Sequence, residues 1–130
     1  MTTATEQTHL AFELFAFMKA YEQGNNSHDI SRITPFIAEN ATYWFTDGSY
    51  RGAAEIRAAI EKTFAKILYE LYEVLDLEWP VLTAQVAVCQ YRFAWTGTVE
   101  GKPCSGQGRG TNVIMRRETG WMMLHEHLSA

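Results

Sequence analysis

The chain has 130 residues, 47% of them hydrophobic, which fits one globular domain (residues 1–130) and excludes intrinsic disorder. A net charge of −4 without a dense basic stripe argues against nucleic acid as a partner. No run of about 18 apolar residues is present, so we expect no contact with a membrane. The two cysteines form no motif and the N-terminal residues do not resemble a secretory signal, so we expect a cytoplasmic location and reduced thiols.

The first half of the sequence predicts helices. Apolar residues at helical spacing predict a helix over residues 8–23, with Gly24 as its stop. A second, short and broken helix follows, because Pro35 fits best at the first position of a fresh turn. Residues 41–45 predict a strand that ends at a turn, and a third helix begins after Gly52.

The second half predicts a sheet. Residues 69–79, 83–96, 104–117 and 121–128 are rich in β-branched and aromatic residues and are separated by Gly or Pro. Four consecutive long strands predict an antiparallel meander, and helices followed by a sheet predict an α+β fold. Strands this long must twist and curl, so we expect a cone-shaped sheet packed on the three N-terminal helices, with a pocket at its wide end.

Three glycines, Gly106, Gly108 and Gly110, alternate along the third long strand, which leaves one of its faces without side chains there. Such a strip indicates close packing or a bend of the sheet. A strand follows them and not a helix, so they do not match the dinucleotide-binding fingerprint.

The order of elements and several short motifs resemble the nuclear transport factor 2 like superfamily, and within it the SnoaL-like proteins. The motifs are Tyr21-Glu22-Gln23-Gly24-Asn25, Phe36-Ile37-Ala38-Glu39-Asn40-Ala41-Thr42, Tyr50-Arg51-Gly52 and Arg116-Arg117-Glu118-Thr119-Gly120-Trp121. The last strand resembles the calcium/calmodulin-dependent kinase association domain and its stand-alone bacterial relatives. The resemblance implies a cystatin-like α+β roll, a pocket inside the cone, and a homodimer through the outer face of the sheet.

Alternation along the last strand places Trp121, His125 and His127 on one face, and Glu126 and Leu128 on the other. Alignment with the family by the tryptophan implies that Glu126 and Leu128 face the pocket and that the first group faces a second subunit, unless a bulge reverses the order. A carboxyl group in an apolar pocket would have a raised pKa and could transfer protons. The alternative for Glu126 is an ion pair with Arg92 or Arg109.

His125 and His127 have the spacing of two metal ligands on one strand, but a metal site needs further donors. We therefore interpret them as part of a sheet interface and expect neither a metal nor a cofactor.

Arg92 lies between two aromatic residues, and Arg109 lies within the glycine strip. Arginines half-buried on a curled sheet pair with a carboxylate or bind the carboxylate of a ligand. Pocket arginines occur at roughly these places in the association domains that the chain resembles, which implies a small acidic ligand. For Arg92, an exposed position on the outer face is the alternative.

The catalytic residues of the steroid isomerase branch are not matched. Its aspartate base falls near Trp44, with Asp47 as the nearest acid; its tyrosine falls near Phe17, with Tyr21 one turn further; and its second acid falls near Thr111. A dehydratase arrangement would need His28 or His127 to face inward.

Aromatic residues make up 13% of the chain, which predicts rings that line a cavity or an interface in addition to the core. The predicted ligand-binding residues are Phe17, Tyr21, Trp44, Tyr50, Trp79, Trp95, Arg92, Arg109, Thr111 and Leu128. Tyr91 is a further candidate for the wall of the cavity.

Two functions follow from this. The first is a non-catalytic protein that binds a small organic, acidic ligand, which the apolar side chains at the recognised catalytic positions favour. The second is a cofactor-independent isomerase, dehydratase or cyclase, with Glu126 or Asp47 as base and Tyr21 as donor. An unpaired, desolvated Glu126 would favour the enzyme, and a Glu126–arginine pair would favour the binding protein.

Overall fold

The computed structural model describes residues 3–130, which form an α+β fold of two α-helices, two single-turn 3-10 helices and a six-stranded sheet. The predicted fold class is confirmed. The elements are α1 (Ala4–Ser27), 3-10 turns at Ile30–Arg32 and Thr34–Phe36, β1 (Ile37–Phe45), β2 (Gly48–Arg51), α2 (Ala53–Lys66), β3 (Leu68–Leu82), β4 (Val86–Val99), β5 (Lys102–Arg117) and β6 (Gly120–Ser129).

Helix α1 is longer than predicted at both ends. A capping box starts it, in which Thr3 Oγ1 accepts from the backbone N–H of Glu6 while the Glu6 carboxylate accepts from the N–H of Thr3. Gly24 lies inside the helix, which ends where His28 adopts a left-handed conformation (φ 57°). The predicted broken helix consists of the two 3-10 turns. Thr34 is the first residue of the second turn and Pro35 is its second residue, one position later than predicted.

The strand order is β2-β1-β6-β5-β4-β3, and the last four strands form the predicted antiparallel meander. Strand β1 runs parallel to β6, with Tyr43 opposite Glu126. Strand β5 in turn places Asn112 opposite Glu126. Because paired residues point to the same face, these three side chains converge on the inner face of the sheet.

The inner face packs on the two helices. Leu14, Met18 and Tyr21 of α1 and Ile56 of α2 are all at most 2% exposed. The glycine strip has a specific role there: a Cβ at Gly106, Gly108 or Gly110 would approach the rings of Trp95, Phe93 and Tyr91 to less than 3.0 Å. Rings of β4 therefore occupy the space that side chains of β5 would otherwise fill.

A β-bulge divides β6. Ile114 pairs with Met123 and Val113 pairs with His125, so Leu124 is an extra residue in β6. The predicted grouping of Trp121 with the two histidines is therefore wrong. Trp121 lies on the side that α1 covers, where its indole N–H donates to Glu13 Oε1 (3.1 Å), while His125 and His127 lie on the outer face.

Side chains at the C-terminal end of α1 cover the free edge of β3. Glu22 Oε2 accepts from the N–H of Val74 (2.7 Å), and the Asn26 amide makes bonds of 2.7 and 2.9 Å with the N–H and C=O of Tyr72. His28 Nε2 lies 2.9 Å from the carbonyl oxygen of Glu70. These bonds hold the end of α1 against the wall of the site described next.

Within residues 3–130, neither α-helix has the length and hydropathy that a transmembrane helix requires.

Candidate functional site

A half-open cavity of about 520 Å³ lies between α2 and the inner face of the sheet. This volume falls in the range of sites for small organic molecules. Aromatic side chains dominate its wall, and they are Tyr21, Phe45, Tyr50, Phe64, Tyr72, Phe93 and Trp95. The cavity can therefore take a flat, apolar molecule.

Glu126 is the buried carboxyl group of this cavity. It is 4% exposed, and its Oε1 atom has no hydrogen-bond partner within residues 3–130. Burial raises the pKa of Glu126 to about 7, although the Tyr21 hydroxyl and the Asn112 amide act in the opposite direction. Neither arginine that the sequence offered as a partner reaches it. Near neutral pH this carboxyl group can both accept and give a proton.

Phenol groups surround Glu126. The hydroxyls of Tyr21 and Tyr43 lie 2.8 Å apart, and the hydroxyl of Tyr91 donates to Asn112 Oδ1 (3.0 Å). The pKa of each of these tyrosines is raised well above its usual value, first by burial and also by the nearby negative charge of Glu126. The phenols therefore stay protonated and can act as hydrogen-bond donors at neutral pH.

The rim of the cavity carries charge of both signs. Asp47 and Glu70 lie on the strand side and Lys62 and Lys66 on α2. Asp47 Oδ1 accepts a hydrogen bond from the Tyr50 hydroxyl (3.2 Å). Burial raises the pKa of Glu70, so its negative charge is less favoured than that of a solvated carboxylate.

Six of the predicted site residues line this cavity. All three candidate catalytic residues are among them, and the full set is Glu126, Asp47, Tyr21, Tyr50, Trp95 and Leu128. Glu126 and Leu128 point into the cavity, as the alignment by the tryptophan of β6 predicted. The bulge at Leu124 lies between Trp121 and Glu126, and for this reason Trp121 and Glu126 lie on the same side of the sheet.

The two arginines that were predicted to bind a ligand in the pocket do not line this cavity. Arg92 and Arg109 are cross-strand neighbours with exposed side chains on the outer face, and neither lines the cavity. Arg92 Nε pairs instead with Asp76 Oδ2 (2.6 Å), which is also exposed. The alternation of side chains along β4 explains this placement, because Tyr91 and Phe93, on either side of Arg92, both point inward to the core.

Other predicted wall residues also lie elsewhere. Trp44 is 49% exposed on the outer face, and Thr111 pairs with His127 there. Phe17 packs on the ring of Phe36 with 5.3 Å between centroids, and Trp79 packs against the core; neither lines the cavity. Tyr91 contributes its hydroxyl to the buried network but does not line the cavity.

The remaining histidines do not complete a catalytic or metal site. His28 stacks on Phe64 and bonds the backbone of β3, while His127 is exposed on the outer face, so neither meets the dehydratase arrangement. Residues 3–130 contain no cluster of three or more His, Cys, Asp or Glu side chains placed to hold a metal ion.

Several residues of the site were missed in the sequence. Tyr72, Phe64, Lys62, Lys66 and Glu70 line the cavity, and Asn112 lies beside Glu126. Asn112 carried a signal: it continues the inward alternation of Gly106, Gly108 and Gly110, and a polar residue at such a position indicates a buried network. The two lysines carried none, because lysines on a helix usually face only solvent.

The curled sheet that encloses α1 and α2 gives a cone-shaped α+β fold. The cavity of this cone has a carboxyl group, Glu126, buried at its inner end. The model of the SnoaL-like domain family matches residues 15–130, and the chain belongs to that family. No protein of curated function matches the sequence significantly.

Solved structures show the same fold at low sequence identity. A nuclear transport factor 2 like superfamily protein from Salmonella enterica has a TM-score of 0.85 and 18% identity, with 95% of this chain and 92% of that chain covered. A candidate dehydratase from Streptomyces avermitilis has a TM-score of 0.82 and 16% identity, covering 94% and 95%. A candidate calcium/calmodulin-dependent protein kinase II association domain from Xanthomonas campestris has a TM-score of 0.80 and 18% identity, covering 91% and 85%. At these identities the likeness extends to the fold alone.

Proposed function

We propose that the protein is a cofactor-independent enzyme that moves protons on a small, largely apolar ring compound bound in the cavity, as in an isomerisation or a dehydration. The observation that carries the proposal is the Glu126 carboxyl group, which is buried, faces the cavity and has a free oxygen atom, Oε1. Desolvating a carboxyl group costs free energy, and a purely structural position would normally satisfy both of its oxygens.

The chemistry follows from the neighbours of Glu126. Its carboxylate takes a proton from a carbon atom next to a carbonyl group of the bound molecule. The Tyr21 hydroxyl, which is hydrogen-bonded to the Glu126 carboxylate in the free protein, then donates its hydrogen bond to the carbonyl oxygen, where the negative charge develops. Tyr43 supports Tyr21 through the 2.8 Å contact between their hydroxyl oxygens. Glu126 then returns the proton to another carbon atom, or to a leaving hydroxyl group, so that the enzyme ends in its starting state.

Glu126 is better suited to this role than Asp47. Asp47 is exposed to solvent at the rim and its Oδ1 atom already accepts a hydrogen bond from Tyr50, whereas Glu126 is buried with a free oxygen atom facing the cavity. We propose that Asp47 orients the Tyr50 ring at the entrance of the cavity through this hydrogen bond.

The non-catalytic binding protein loses part of its support. Besides the apolar side chains at the recognised catalytic positions, that hypothesis rested on arginines in the pocket and on a Glu126–arginine pair, whereas Arg92 and Arg109 both lie on the outer face. Membership of the SnoaL-like family is compatible with either function.

The test is proton exchange with solvent. The protein is incubated in D2O with a panel of cyclic unsaturated ketones and β-hydroxy ketones, and deuterium incorporation is followed by mass spectrometry. For a compound that exchanges, we expect Glu126→Gln to lower the rate by a factor of at least about 100, and Tyr21→Phe to lower it by roughly the same factor.

Glu73→Gln serves as the matched control, because Glu73 is an exposed carboxylate on the outer face and its loss should leave the rate unchanged. Thermal unfolding of each variant shows whether it is folded. Exchange by folded Glu126→Gln at the wild-type rate would remove Glu126 as the base.

A further inference from the structure

The rim of the cavity contains two lysines on one side of α2. Lys62 and Lys66 are one helical turn apart, both line the cavity, and both side chains are exposed. Neither ammonium group has an ion-pair partner or a hydrogen-bond partner among residues 3–130. Among residues 3–130, they are the lysine and arginine side chains that line the cavity.

This arrangement costs the free protein stability. Side chains four positions apart on a helix are neighbours, and two like charges at that spacing repel each other. Lys66 has a structural benefit from its place in the last turn, where a cation interacts favourably with the helix dipole, but Lys62 lies a full turn earlier. An anion held between the two ammonium groups would remove the repulsion.

The remaining charges of the cavity define where that anion can lie. Asp47 and Glu70 lie on the strand side of the rim, and Glu126 lies at the inner end. A negative group is disfavoured near each of these carboxyl groups and favoured only beside α2. The aromatic wall between the rim and Glu126 accepts the rest of the molecule.

We infer that the substrate is an amphipathic organic acid, whose ring system lies against the aromatic wall next to Glu126 and whose anionic group lies between Lys62 and Lys66 at the rim. This inference rests on the proposed function for the presence of a bound molecule, and it adds the substrate class and the direction of binding. The acid is recognised by the lysines of α2 and not by the arginines that the sequence suggested.

The test uses two fluorescent dyes with the same ring system. Anilinonaphthalene sulfonate carries one negative charge, and N-phenylnaphthylamine is its uncharged counterpart. We expect the sulfonate to bind the wild-type protein more tightly than the uncharged dye. The double variant Lys62→Met/Lys66→Met should weaken sulfonate binding about tenfold, as two partly exposed ion pairs predict, and leave the uncharged dye unaffected.

Two controls make the result specific. Arg57→Met removes one positive charge from the same helix at a position outside the cavity, and it should change neither affinity. Thr63→Trp places a large ring at the cavity entrance and should abolish binding of both dyes. Inorganic phosphate at constant ionic strength should not displace the sulfonate, because the ring system supplies part of the binding.

The outcomes separate the two proposals. Three results would contradict an organic acid as the substrate without contradicting the cavity as the binding site. They are equal affinity for both dyes, an unchanged sulfonate affinity in the lysine double variant, and displacement of the sulfonate by inorganic phosphate alone. Failure of both dyes to bind, or binding that Thr63→Trp does not reduce, would overturn the cavity as the binding site, and with it the proposed function.

Discussion

Glu126 is a residue whose protonation should be visible in the stability of the protein. Its pKa of about 7 lies above its ordinary value of 4.5, so the folded state binds a proton more tightly than the unfolded state does. The stabilising contribution of the protonated group is therefore complete below about pH 4.5 and is lost as the pH rises through about 7. The shift corresponds to about 3 kcal/mol.

We expect Glu126→Gln to remove this pH dependence. Gln cannot ionise, so relative to the wild type the variant should gain up to about 3 kcal/mol in free energy of unfolding between pH 5 and pH 8.5. Urea denaturation at a series of pH values measures the difference. Glu118→Gln, at an exposed position in the last hairpin, should stay within about 0.5 kcal/mol of the wild type throughout. A difference for Glu126→Gln that does not vary with pH would contradict the buried, ionisable state of this group.

Gly110 is a second residue with a testable role. The three nearest atoms that a Cβ at this position would meet all belong to the Tyr91 side chain, so Gly110→Ala should destabilise the protein by about 1–3 kcal/mol. In a Tyr91→Leu background the same substitution should cost far less, because the ring atoms that it meets are gone. Chemical denaturation of the four proteins gives the coupling free energy. A cost of Gly110→Ala that is the same in both backgrounds would show that the ring is not the cause.

At the scale of elements, the covered edge of β3 connects the stability of the fold to the wall of the cavity. Asn26→Ala removes both side-chain bonds to the backbone of Tyr72, a cavity residue, and should cost about 1–3 kcal/mol. Amide hydrogen exchange should become faster at Tyr72. Asn40→Ala is the control, because Asn40 is exposed and its Oδ1 accepts a single hydrogen bond from Arg117. Unchanged exchange at Tyr72 in Asn26→Ala would contradict a role of α1 in closing this edge.

The elements also show how far the sequence could be interpreted. The period of the apolar residues predicted both α-helices and the long strands, because each of these elements buries one face or stripe. The length of α1 was missed because its ends depend on the Thr3–Glu6 capping box and the left-handed His28. The face of Trp121 was missed because alternation cannot reveal that Leu124 is an extra residue.

The candidate site was predictable where it depends on the alternation of side chains between the two faces of a strand. This alternation, together with the family alignment, predicts that Glu126 and Leu128 point into the cavity. Arg92 has an inward-facing aromatic residue on each side, and a strict alternation count would have placed it outside. The position of Lys62 and Lys66 at the cavity depends on how α2 packs across the end of the sheet. No local sequence pattern contains this information.

At the scale of the whole molecule, the outer face of the sheet is the surface on which we propose a homodimer. Trp44 is 49% exposed there, with its ring centroid 4.9 Å from that of His125 and 5.6 Å from that of His127. We propose that His125 and His127 form part of this contact together with Trp44, and that Trp121 does not, because α1 covers its side of the sheet.

Light scattering at tens of micromolar should give twice the chain mass of 14.8 kDa for the wild type. Trp44→Asp, which adds a charge to the outer face, should be monomeric. Phe12→Asp should remain dimeric, because Phe12, 80% exposed, lies on α1 and not on the sheet. A monomeric wild-type protein, or dissociation caused by Phe12→Asp alone, would contradict this dimer.

The central claim is that the cavity holds a desolvated carboxyl group ready to exchange protons near neutral pH. Its most direct test is a carbon NMR titration of the glutamate side-chain carboxyl groups, with the Glu126 signal assigned by its absence from Glu126→Gln. We predict a midpoint at about pH 7 for Glu126 in the free protein. A midpoint at or below the ordinary value of 4.5 would show that Glu126 is solvated or paired in solution, and would contradict its assignment as the base.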